Sequence, residues 1–435
     1  MKLFQISLIF QIYIKYSFQF QLKVSYKKYN NKNENNIIPK FRNLFKESTL
    51  NLKELELLTI PLCLGSSNLC YDFVIDTGSY LFWINEKFYS SSSSSSFIEG
   101  KHRISFNYST GTINGIISKD VFSFKDNSNI KILFPIIIAK TENLNDNING
   151  ILGLSKDYDY FLLSKNNVAK RFMLIEELYI KNIIKQKIFE YKPINLQKGI
   201  LNFGETEYNL NKYKKCTRTT STKKYTSSDL MFFKYLWTCK LFDITNENDI
   251  SIYGLLNLTM LDFNIQIVFD SAANVVLLSK EIYYYIIESY KKESKNNCEQ
   301  FKDTGMFNCN KEFDIKKLPK FYIKLETFKL EISPEDVFIF IGSEEDINMY
   351  LLRILPKREG YSWIVGNIIL KKYQIAYNYD DKAIYFYEGY LILFSKFYLL
   401  FLIICPFIIL YFLILNQQKK VRTLEIENSQ EMKLI

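Results

Sequence analysis

Histidine is almost absent from this sequence: His102 is the single one among 435 residues. A Ser/His/Asp or Cys/His catalytic site would have to use it, and a zinc site rich in histidine is excluded. His102 lies in the segment KHRISF, at the polar start of an alternating pattern, and no GxSxG motif is present. We therefore interpret His102 as a surface residue and expect any hydrolase chemistry to depend on carboxylates.

Glycine (15 residues) and proline (8 residues) are also few, whereas hydrophobic residues make up 48% of the chain. This composition and length predict a mostly globular chain that can hold two lobes. The formal net charge is +10, but the lysines are spread along the chain and not gathered into one stripe. Because no nucleic-acid-binding motif accompanies the charge, we predict no nucleic-acid partner.

Six of the seven cysteines form three close pairs in the sequence, and none shows the double CxxC spacing of a zinc site. Three short-range disulfides in an oxidising compartment are therefore favoured over six reduced thiols. Cys63 and Cys70 flank the turn sequence GSSN and are expected to face each other across a hairpin. The predicted pairs are Cys63 with Cys70, Cys216 with Cys239, and Cys298 with Cys309.

The N-terminal region has two compositional parts. Residues 1–20 begin with Met-Lys and continue with an apolar run, which resembles a signal sequence or an N-terminal anchor. Residues 21–50 are basic and rich in asparagine, which suggests a disordered leader or a short prosegment.

The C-terminal region predicts a membrane anchor. Residues 397–415 carry no charge and are long enough to cross a bilayer as a helix. Lys419 and Lys420 follow at once, so residues 416–435 are predicted to be a cytosolic tail. The chain is then a single-pass membrane protein of the secretory pathway, with its bulk on the lumenal or extracellular side. The alternative is that 397–415 is a buried helix of a soluble domain.

Between residues 52 and 388 the pattern is mainly β, with short apolar or alternating runs separated by Gly, Asn, Asp or Ser turns. Two stretches have a helical pattern, near 169–184 and 280–292. Serine repeats at 91–96 predict a flexible surface insertion. Many strands with few helices favour a sandwich or barrel class.

Two segments of the β region share one design. YDFVIDTGS ends an apolar strand in Asp76, and IQIVFDSA ends another in Asp270. An acid that follows three apolar residues is drawn toward a low-dielectric interior, where its charge is costly unless the chain needs a buried acid. Two such acids suggest a pair at a pseudo-symmetric interface, where two carboxyl groups about 3 Å apart share a proton. One can then take a proton from water while the other donates one to a scissile carbonyl oxygen.

With these motifs the sequence resembles the pepsin-like aspartic peptidases, and it is similar to the plasmepsins of apicomplexan parasites. The resemblance covers roughly residues 57–387. Its elements follow in the family order: FVIDTGSYLFW, SFNYSTGTINGII, NGILGLS, GILNFGETE, IVFDSAAN and WIVGNIILKKYQIAYNYDDKAIYFY. It implies a bilobal fold of two pseudo-symmetric β-barrel-like lobes with a few short helices, over residues 52–205 and 206–388.

The resemblance also assigns site residues. Asp76 and Asp270 are the implied catalytic pair. Supporting residues in their loops are Thr77, Gly78, Ser79 and Ser271, with Ile151, Leu152, Gly153 and Gly366 in the segments that cross behind. The implied flap and substrate-binding residues are Tyr108, Thr110 and Gly111, with Trp83 packed beneath them. No metal or cofactor is implied, the partner is a peptide or protein substrate, and the chain is expected to be a monomer.

The sequence departs from the family pattern in the second motif. Ala272 stands where the family almost always has glycine, and its methyl group is expected to strain the loop if the backbone needs a positive φ there. Ala273 replaces a residue that is commonly a hydroxyl in the family. Asn149, Asn367 and Asn378 stand where acids are frequent, but these positions are peripheral.

Three functions remain open from the sequence. The first is an active aspartic endopeptidase, because both aspartates, the flap tyrosine and the first motif are intact. The second is a catalytically impaired membrane protein that binds a peptide or protein partner in the cleft, which Ala272 and Ala273 favour. A purely structural membrane glycoprotein is the third option.

Overall fold

The computed structural model describes residues 20–29, 55–108, 111–142, 144, 147–157, 173–216, 235–258, 265–300, 305–344, 346–357 and 363–388. Their secondary structure is mainly β with a few short helices, as the sequence predicted. The described residues up to Phe386 belong to one compact unit. The division of this unit into lobes at 205/206 stays a prediction.

Strands account for most of the described residues and are numbered in chain order. They are β1 (Phe20–Tyr29), β2 (Leu55–Leu64), β3 (Leu69–Asp76), β4 (Phe82–Asn85), β5 (Ile98–Asn107), β6 (Thr112–Phe124), β7 (Asn127–Glu142), β8 (Gly150–Gly153), β9 (Ile188–Asn195), β10 (Lys198–Phe203), β11 (Tyr213–Cys216), β12 (Thr238–Asn246), β13 (Gln266–Asp270), β14 (Val276–Leu278), β15 (Cys298–Gln300), β16 (Met306–Asn310), β17 (Phe321–Leu325), β18 (Lys329–Ile332), β19 (Phe338–Glu344), β20 (Ile347–Leu352), β21 (Ile354–Pro356), β22 (Trp363–Gly366), β23 (Ile375–Asn378) and β24 (Ala383–Tyr387).

The strands form three sheets. The largest has 13 strands in the order β11-β24-β23-β9-β10-β1-β2-β3-β8-β4-β7-β6-β5. A seven-stranded sheet has the order β18-β17-β12-β13-β22-β14-β21, and a four-stranded sheet has the order β15-β16-β20-β19. Strand β23 follows the second motif but pairs with β9 from the first half, and β24 pairs with β23, so the 13-stranded sheet joins the two halves of the chain.

Five α-helices lie among the described residues: α1 (Leu174–Ile180), α2 (Ile252–Leu255), α3 (Lys280–Ser294), α4 (Pro334–Val337) and α5 (Asn367–Leu370). The helix predicted near 280–292 is α3, in which Ile282, Ile286 and Tyr290 are buried at the i, i+4 spacing of one helix face. The helix predicted near 169–184 is observed only as α1, because residues 158–172 lie outside the described residues and a turn follows Ile180.

The three predicted cysteine pairs are disulfide-bonded: Cys63–Cys70, Cys216–Cys239 and Cys298–Cys309. Cys63 faces Cys70 across the β2–β3 hairpin, as predicted. The turn of that hairpin uses positive φ angles at Gly65 (73°) and Asn68 (54°), the residue types that adopt this conformation most readily.

The serine run is not a flexible insertion, so that prediction is wrong. Ser91–Ser93 form a short 3-10 helix, and the hydroxyl groups of Ser94 and Ser96 donate to the buried carboxylate of Asp120 at 3.1 Å and 2.6 Å. The Tyr89 hydroxyl donates to the same carboxylate. A buried charge must be hydrogen-bonded, and the serines supply these bonds.

Strand β1 lies within the region for which the sequence predicted a leader and no strand. It pairs antiparallel with β10, from Phe20↔Phe203 to Ser25↔Lys198, and with β2, from Ser25↔Thr59 to Tyr29↔Leu55. Its backbone therefore fills a central position in the 13-stranded sheet. Whether residues 21–50 act as a prosegment stays a prediction.

No helix among the described residues is long and apolar enough to span a bilayer. The predicted transmembrane segment 397–415, the tail 416–435 and most of the predicted signal segment 1–20 lie outside the described residues.

Candidate active site

The two aspartates predicted as a pair occupy equivalent positions in the fold. Asp76 ends β3 and Asp270 ends β13. Each strand pairs in parallel with a later strand, so that Asp76 lies opposite Gly153 of β8 and Asp270 opposite Gly366 of β22. Each aspartate strand ends in buried apolar residues, 73–75 and 267–269, so that Asp76 is buried and Asp270 is half-buried at the C-terminal end of its strand.

Gly153 and Gly366 are required by close backbone approach. A Cβ on Gly153 would lie 2.6 Å from the backbone nitrogen of Leu81, and one on Gly366 would lie 2.3 Å from the carbonyl oxygen of Ala273. These contacts are shorter than any side chain tolerates, so each active-site loop passes directly over a glycine. The two glycines predicted from the sequence thus have the same structural role in the two halves.

Thr77 and Ser271 brace the two loops by reciprocal hydrogen bonds. The Thr77 hydroxyl donates to the Phe269 carbonyl at 2.8 Å and accepts from the Ser271 backbone N–H at 2.9 Å. The Ser271 hydroxyl donates to the Ile75 carbonyl at 2.7 Å and accepts from the Thr77 backbone N–H at 3.0 Å. All four bonds are buried, so the brace fixes the position of one aspartate relative to the other.

The hydrogen bonds to the two carboxylates differ. Asp76 accepts the Gly78 backbone N–H at 2.8 Å on Oδ1 and the Ser79 hydroxyl at 2.5 Å on Oδ2. Asp270 accepts the backbone N–H groups of Ala272 and Ala273 at 2.9 Å and 3.2 Å, both on Oδ1. Asp76 therefore receives one hydroxyl donor that Asp270 lacks.

Both carboxyl groups have raised pKa values. Burial is the main cause for Asp76, whereas its hydrogen bonds from Ser79 and Gly78 lower the pKa. Burial and then the adjacent Asp76 carboxylate raise the pKa of Asp270 to about 7. The side chains also hydrogen-bond to each other. Two touching, buried carboxyl groups cannot both ionise cheaply, so the pair holds one proton near neutral pH.

Ala272 does not impose the strain that the sequence suggested. Neither Ala272 nor its counterpart Gly78 has a positive φ. The Ala272 side chain packs against an apolar cluster of the first half that includes Tyr80, Trp83 and Ile113. Position 78, in the loop after Asp76, requires glycine, because a Cβ on Gly78 would lie 2.7 Å from Cγ of Asp270.

The predicted flap is the hairpin of β5 and β6, with Asn107 opposite Thr112. Tyr108 follows β5, and its backbone N–H donates to the Gly111 carbonyl at 2.7 Å. Its hydroxyl accepts a hydrogen bond from Trp83 Nε1 at 2.9 Å. Trp83 is completely buried, so it supports the flap from below as predicted. Thr110 lies outside the described residues.

Aromatic rings connect the flap to the first active-site loop. The Phe106 ring lies 4.9 Å from Tyr108 and 5.9 Å from Tyr80, both edge to face. Burial and then the charge of Asp76 raise the pKa of the Tyr108 hydroxyl. The Tyr108 hydroxyl is therefore close enough to the aspartate pair to be affected by its charge. Phe106 and Tyr80 were not identified from the sequence, because aromatic residues are too frequent in this chain for any one to stand out.

Three further residues near the site were missed in the sequence. The Tyr377 hydroxyl hydrogen-bonds with the Thr77 side chain. Trp237 Nε1 and the Tyr379 hydroxyl both donate to the carbonyl oxygen of Leu154, at 2.7 Å and 3.1 Å. Tyr377 and Tyr379 belong to the motif YQIAYNYDD, so the resemblance marked their strand, but only the tertiary contacts show their role.

Comparison with known protein families identifies the family of this chain. A search of curated proteins finds none that matches the chain. The model of the eukaryotic aspartyl protease family matches residues 59–388. This range contains both aspartates, both hydroxyl braces, the flap and both crossing glycines, and it covers well over half of the sequence. The chain therefore belongs to the eukaryotic aspartyl protease family.

Proposed function

We propose that this protein is an active aspartic endopeptidase. The observation that carries the proposal is the buried pair of Asp76 and Asp270, held in contact by the reciprocal bonds of Thr77 and Ser271. If the two loops had lost their function, we would not expect both acids to remain in a buried position, because an ionised carboxylate there costs several kcal/mol.

The mechanism follows from one shared proton. The Ser79 hydroxyl and the Gly78 N–H favour the charged form of Asp76, whereas Asp270 receives no hydroxyl. In the resting pair, negative charge therefore concentrates on Asp76 and the proton on Asp270. A water between them loses a proton to the charged carboxylate as its oxygen attacks the peptide carbonyl carbon. The protonated carboxyl donates its proton to the carbonyl oxygen, which gives a tetrahedral intermediate. When the C–N bond of this intermediate breaks, Asp76 passes the proton from water to the leaving nitrogen and Asp270 takes its proton back from the hydroxyl group, and no covalent enzyme intermediate forms.

The substrate class is an extended peptide or protein segment. The flap hairpin offers backbone groups for strand-like hydrogen bonds, which bind a peptide without regard to its side chains. Selectivity then comes from the side chains around the pair. Phe106 and Tyr108 are half-buried aromatic side chains at the flap, and Phe106 packs on the buried Tyr80, so we propose that apolar residues are preferred beside the scissile bond.

Cleavage of a peptide library by the purified full-length protein between pH 4 and pH 7 tests the proposal. We expect cleavage that disappears both in Asp76→Ala and with a statine-type inhibitor. An Asp270→Asn variant keeps the side-chain shape while it removes the second acid, so it tests whether both carboxyl groups are needed. A well-folded wild-type protein that cleaves nothing would refute the proposal.

The second candidate function is peptide binding without cleavage, which the missing hydroxyl at Ala273 favours. An inactive wild type in which Ala273→Ser restores cleavage would support it. Peptide binding to wild type, measured by calorimetry and without product formation, would then identify the ligand.

We further propose that the protein is a single-pass membrane protein, anchored by residues 397–415 and monomeric, with its catalytic part on the lumenal or extracellular side. The uncharged run followed by Lys419 and Lys420 supports this orientation. Disulfides are typical of oxidising compartments and agree with it. The similarity of the sequence motifs to those of plasmepsins is part of the same proposal. Retention in membranes after alkaline carbonate extraction tests the anchor, and release of the protein would refute it.

A further inference from the structure

The turn between β9 and β10 exposes two aliphatic side chains close together. Ile194 is 56% exposed and Leu196 is 59% exposed. Asn195 Oδ1 accepts a hydrogen bond from the Gln197 backbone N–H at 2.9 Å, so the turn has a defined conformation. We call residues 194–198 the aliphatic turn. Exposed aliphatic residues are common singly, but two on one protruding turn form a local apolar surface.

Strand register places this turn at the end of the sheet where the chain leaves the compact unit. Tyr191 of β9 lies opposite Ile375 of β23, and Ile375 lies opposite Phe386 of β24. Beyond these paired residues, β9 continues toward Ile194, and β24 continues in the same direction toward Glu388. Only β23 separates β9 from β24, so the two ends lie roughly 10 Å apart across the sheet.

The connection to the proposed anchor is short. Residues 389–396 separate the last described residue from the apolar run 397–415. Even fully extended, such a segment spans at most about 30 Å. The end of the sheet that carries the aliphatic turn is therefore held near the bilayer surface if the anchor is inserted.

We propose that the aliphatic turn is a second membrane contact, in which Ile194 and Leu196 enter the interfacial region of the same bilayer. The inference rests on the proposed anchor and is independent of catalysis. Interfacial contacts combine apolar side chains with adjacent lysines that reach lipid phosphates. Lys198 is exposed next to Leu196, and Lys192, which pairs with Glu207 at 2.6 Å, lies on the other side of the turn. Two attachment points would fix the tilt of the catalytic part on the membrane.

A matched control position exists outside the sheet, on the helix that precedes β9. Ile180 is the last residue of α1 and is 67% exposed, more than either residue of the turn. The chain after it enters β9 at Ile188, the opposite end of that strand. Ile188 and Ile194 are separated by about 20 Å at the usual rise of a strand. A general tendency of exposed isoleucine to contact lipid would affect both positions, whereas the proposal predicts contact only at the turn.

The test places an environment-sensitive fluorophore on Ile194→Cys or Ile180→Cys, each in a full-length chain that also carries Cys405→Ser. The labelled proteins are reconstituted into phosphatidylcholine nanodiscs with or without doxyl-labelled lipid. We expect a blue-shifted emission and quenching at position 194 at least roughly threefold stronger than at position 180. Equal quenching at the two positions, or none at 194, would overturn the inference. A blue shift at 194 without doxyl quenching would also overturn it, because a second copy would then cover the turn.

Two further measurements distinguish a failure of this inference from a failure of the proposed catalytic function or of the proposed anchor. The double variant Ile194→Ser/Leu196→Ser should cleave a soluble peptide as fast as wild type, since neither residue belongs to the active site. Loss of that activity would overturn the assignment of the turn as a surface distinct from the catalytic machinery. Carbonate extraction of the labelled proteins reports on the anchor itself. Release from the membrane would remove the basis of the inference, whereas retention with no quenching at 194 would refute the turn contact alone.

Discussion

Asp76 and Asp270 have a symmetric brace but different donors. Ser79 gives Asp76 a hydroxyl donor, and the equivalent position beside Asp270 is occupied by Ala273, which offers only its backbone N–H. Donors to a carboxylate stabilise its ionised form and lower its pKa. The missing hydroxyl therefore contributes to the raised pKa of Asp270 and favours activity that extends toward neutral pH.

Addition of a hydroxyl at position 273 should move the alkaline limit of activity. Catalysis needs Asp270 protonated, a form that is lost as pH rises through its raised pKa. In Ala273→Thr the new hydroxyl donates to Asp270, lowers that pKa and should shift the alkaline limb of the kcat/KM profile down by about one pH unit. Ala273→Val has nearly the same shape without the donor and should leave the limb in place. A shift of the same size in both variants would contradict the hydrogen-bond explanation.

Removal of the flap hydroxyl should reduce both stability and catalysis. Tyr108→Phe deletes the acceptor of the Trp83 Nε1 hydrogen bond and leaves that buried donor unpaired, which costs roughly 1–3 kcal/mol. We expect kcat/KM to fall about tenfold, because the flap tip loses its fixed position over the pair. Steady-state kinetics with a fluorogenic peptide measure the effect. Tyr290→Phe, in α3, is the control and should keep wild-type kinetics, so equal losses in both variants would refute a specific role of the flap.

At the scale of elements, the two loops that carry Asp76 and Asp270 follow directly from the sequence. An apolar strand that ends in Asp-Thr or Asp-Ser, crossed by a segment with an obligatory glycine, was predicted for both halves and is confirmed. Other elements depend on partners that are distant in the chain. The serine run is ordered because Asp120 accepts its hydroxyl groups, and β1 forms because β2 and β10 offer it edges on both sides. No local pattern shows these partners.

The 13-stranded sheet contains a buried acid, Glu190, that the sequence did not reveal. It is 0% exposed and accepts hydrogen bonds from Asn202, Gln374 and Tyr213 and from the Glu207 backbone N–H. These donors come from β10, from β11 and from the segment before β23. Glu190 thus ties together strands from the two halves of the chain.

Removal of this acid should weaken the whole compact unit. In Glu190→Ala the side chains of Asn202 and Tyr213 and the Glu207 backbone N–H lose this acceptor, while Gln374 keeps its 3.3 Å bond to Glu207, so we expect the free energy of unfolding to fall by about 3 kcal/mol. Urea denaturation followed by tryptophan fluorescence measures the change. The control Glu142→Ala removes an exposed acid that accepts one hydrogen bond from Asn114, and it should change stability by less than about 0.5 kcal/mol. A similarly small effect at Glu190 would show that the network does not hold the sheet together.

At the scale of the whole molecule, the aspartate pair links stability to pH. Both folded-state pKa values are raised above the usual value of an aspartate. A raised pKa means that the folded protein binds the proton more tightly than the unfolded chain. The pair therefore contributes stability at acidic pH that is progressively lost as pH rises through the folded-state pKa, near 7 for Asp270.

We expect the wild-type protein to melt at a higher temperature at pH 5 than at pH 8, with part of this difference caused by the pair. Asp270→Asn removes the shared proton and the charge repulsion, so its melting temperature should depend less on pH over this range. Differential scanning calorimetry of both proteins tests this without any substrate. If the two proteins have parallel profiles, the pair does not have the raised pKa values inferred from its burial.

The sequence by itself determined the family, the two aspartates with their flanking loops, the flap tyrosine and the disulfide pairs. These features depend on local order: an apolar strand, a turn residue and a reactive side chain stand next to one another in the chain. The strain expected at Ala272 was not observed, because its φ angle depends on how the loop folds back over Gly366.

Only the tertiary structure decided how the halves are joined. The reciprocal bonds of Thr77 and Ser271 connect residues nearly two hundred positions apart, and Gln374, which donates to Glu190, is 184 positions away from it. The same is true of the aliphatic turn, whose place beside the end of β24 follows from strand register and not from any motif. Long-range pairing brings such groups together, and a linear pattern of residues carries no direct record of it.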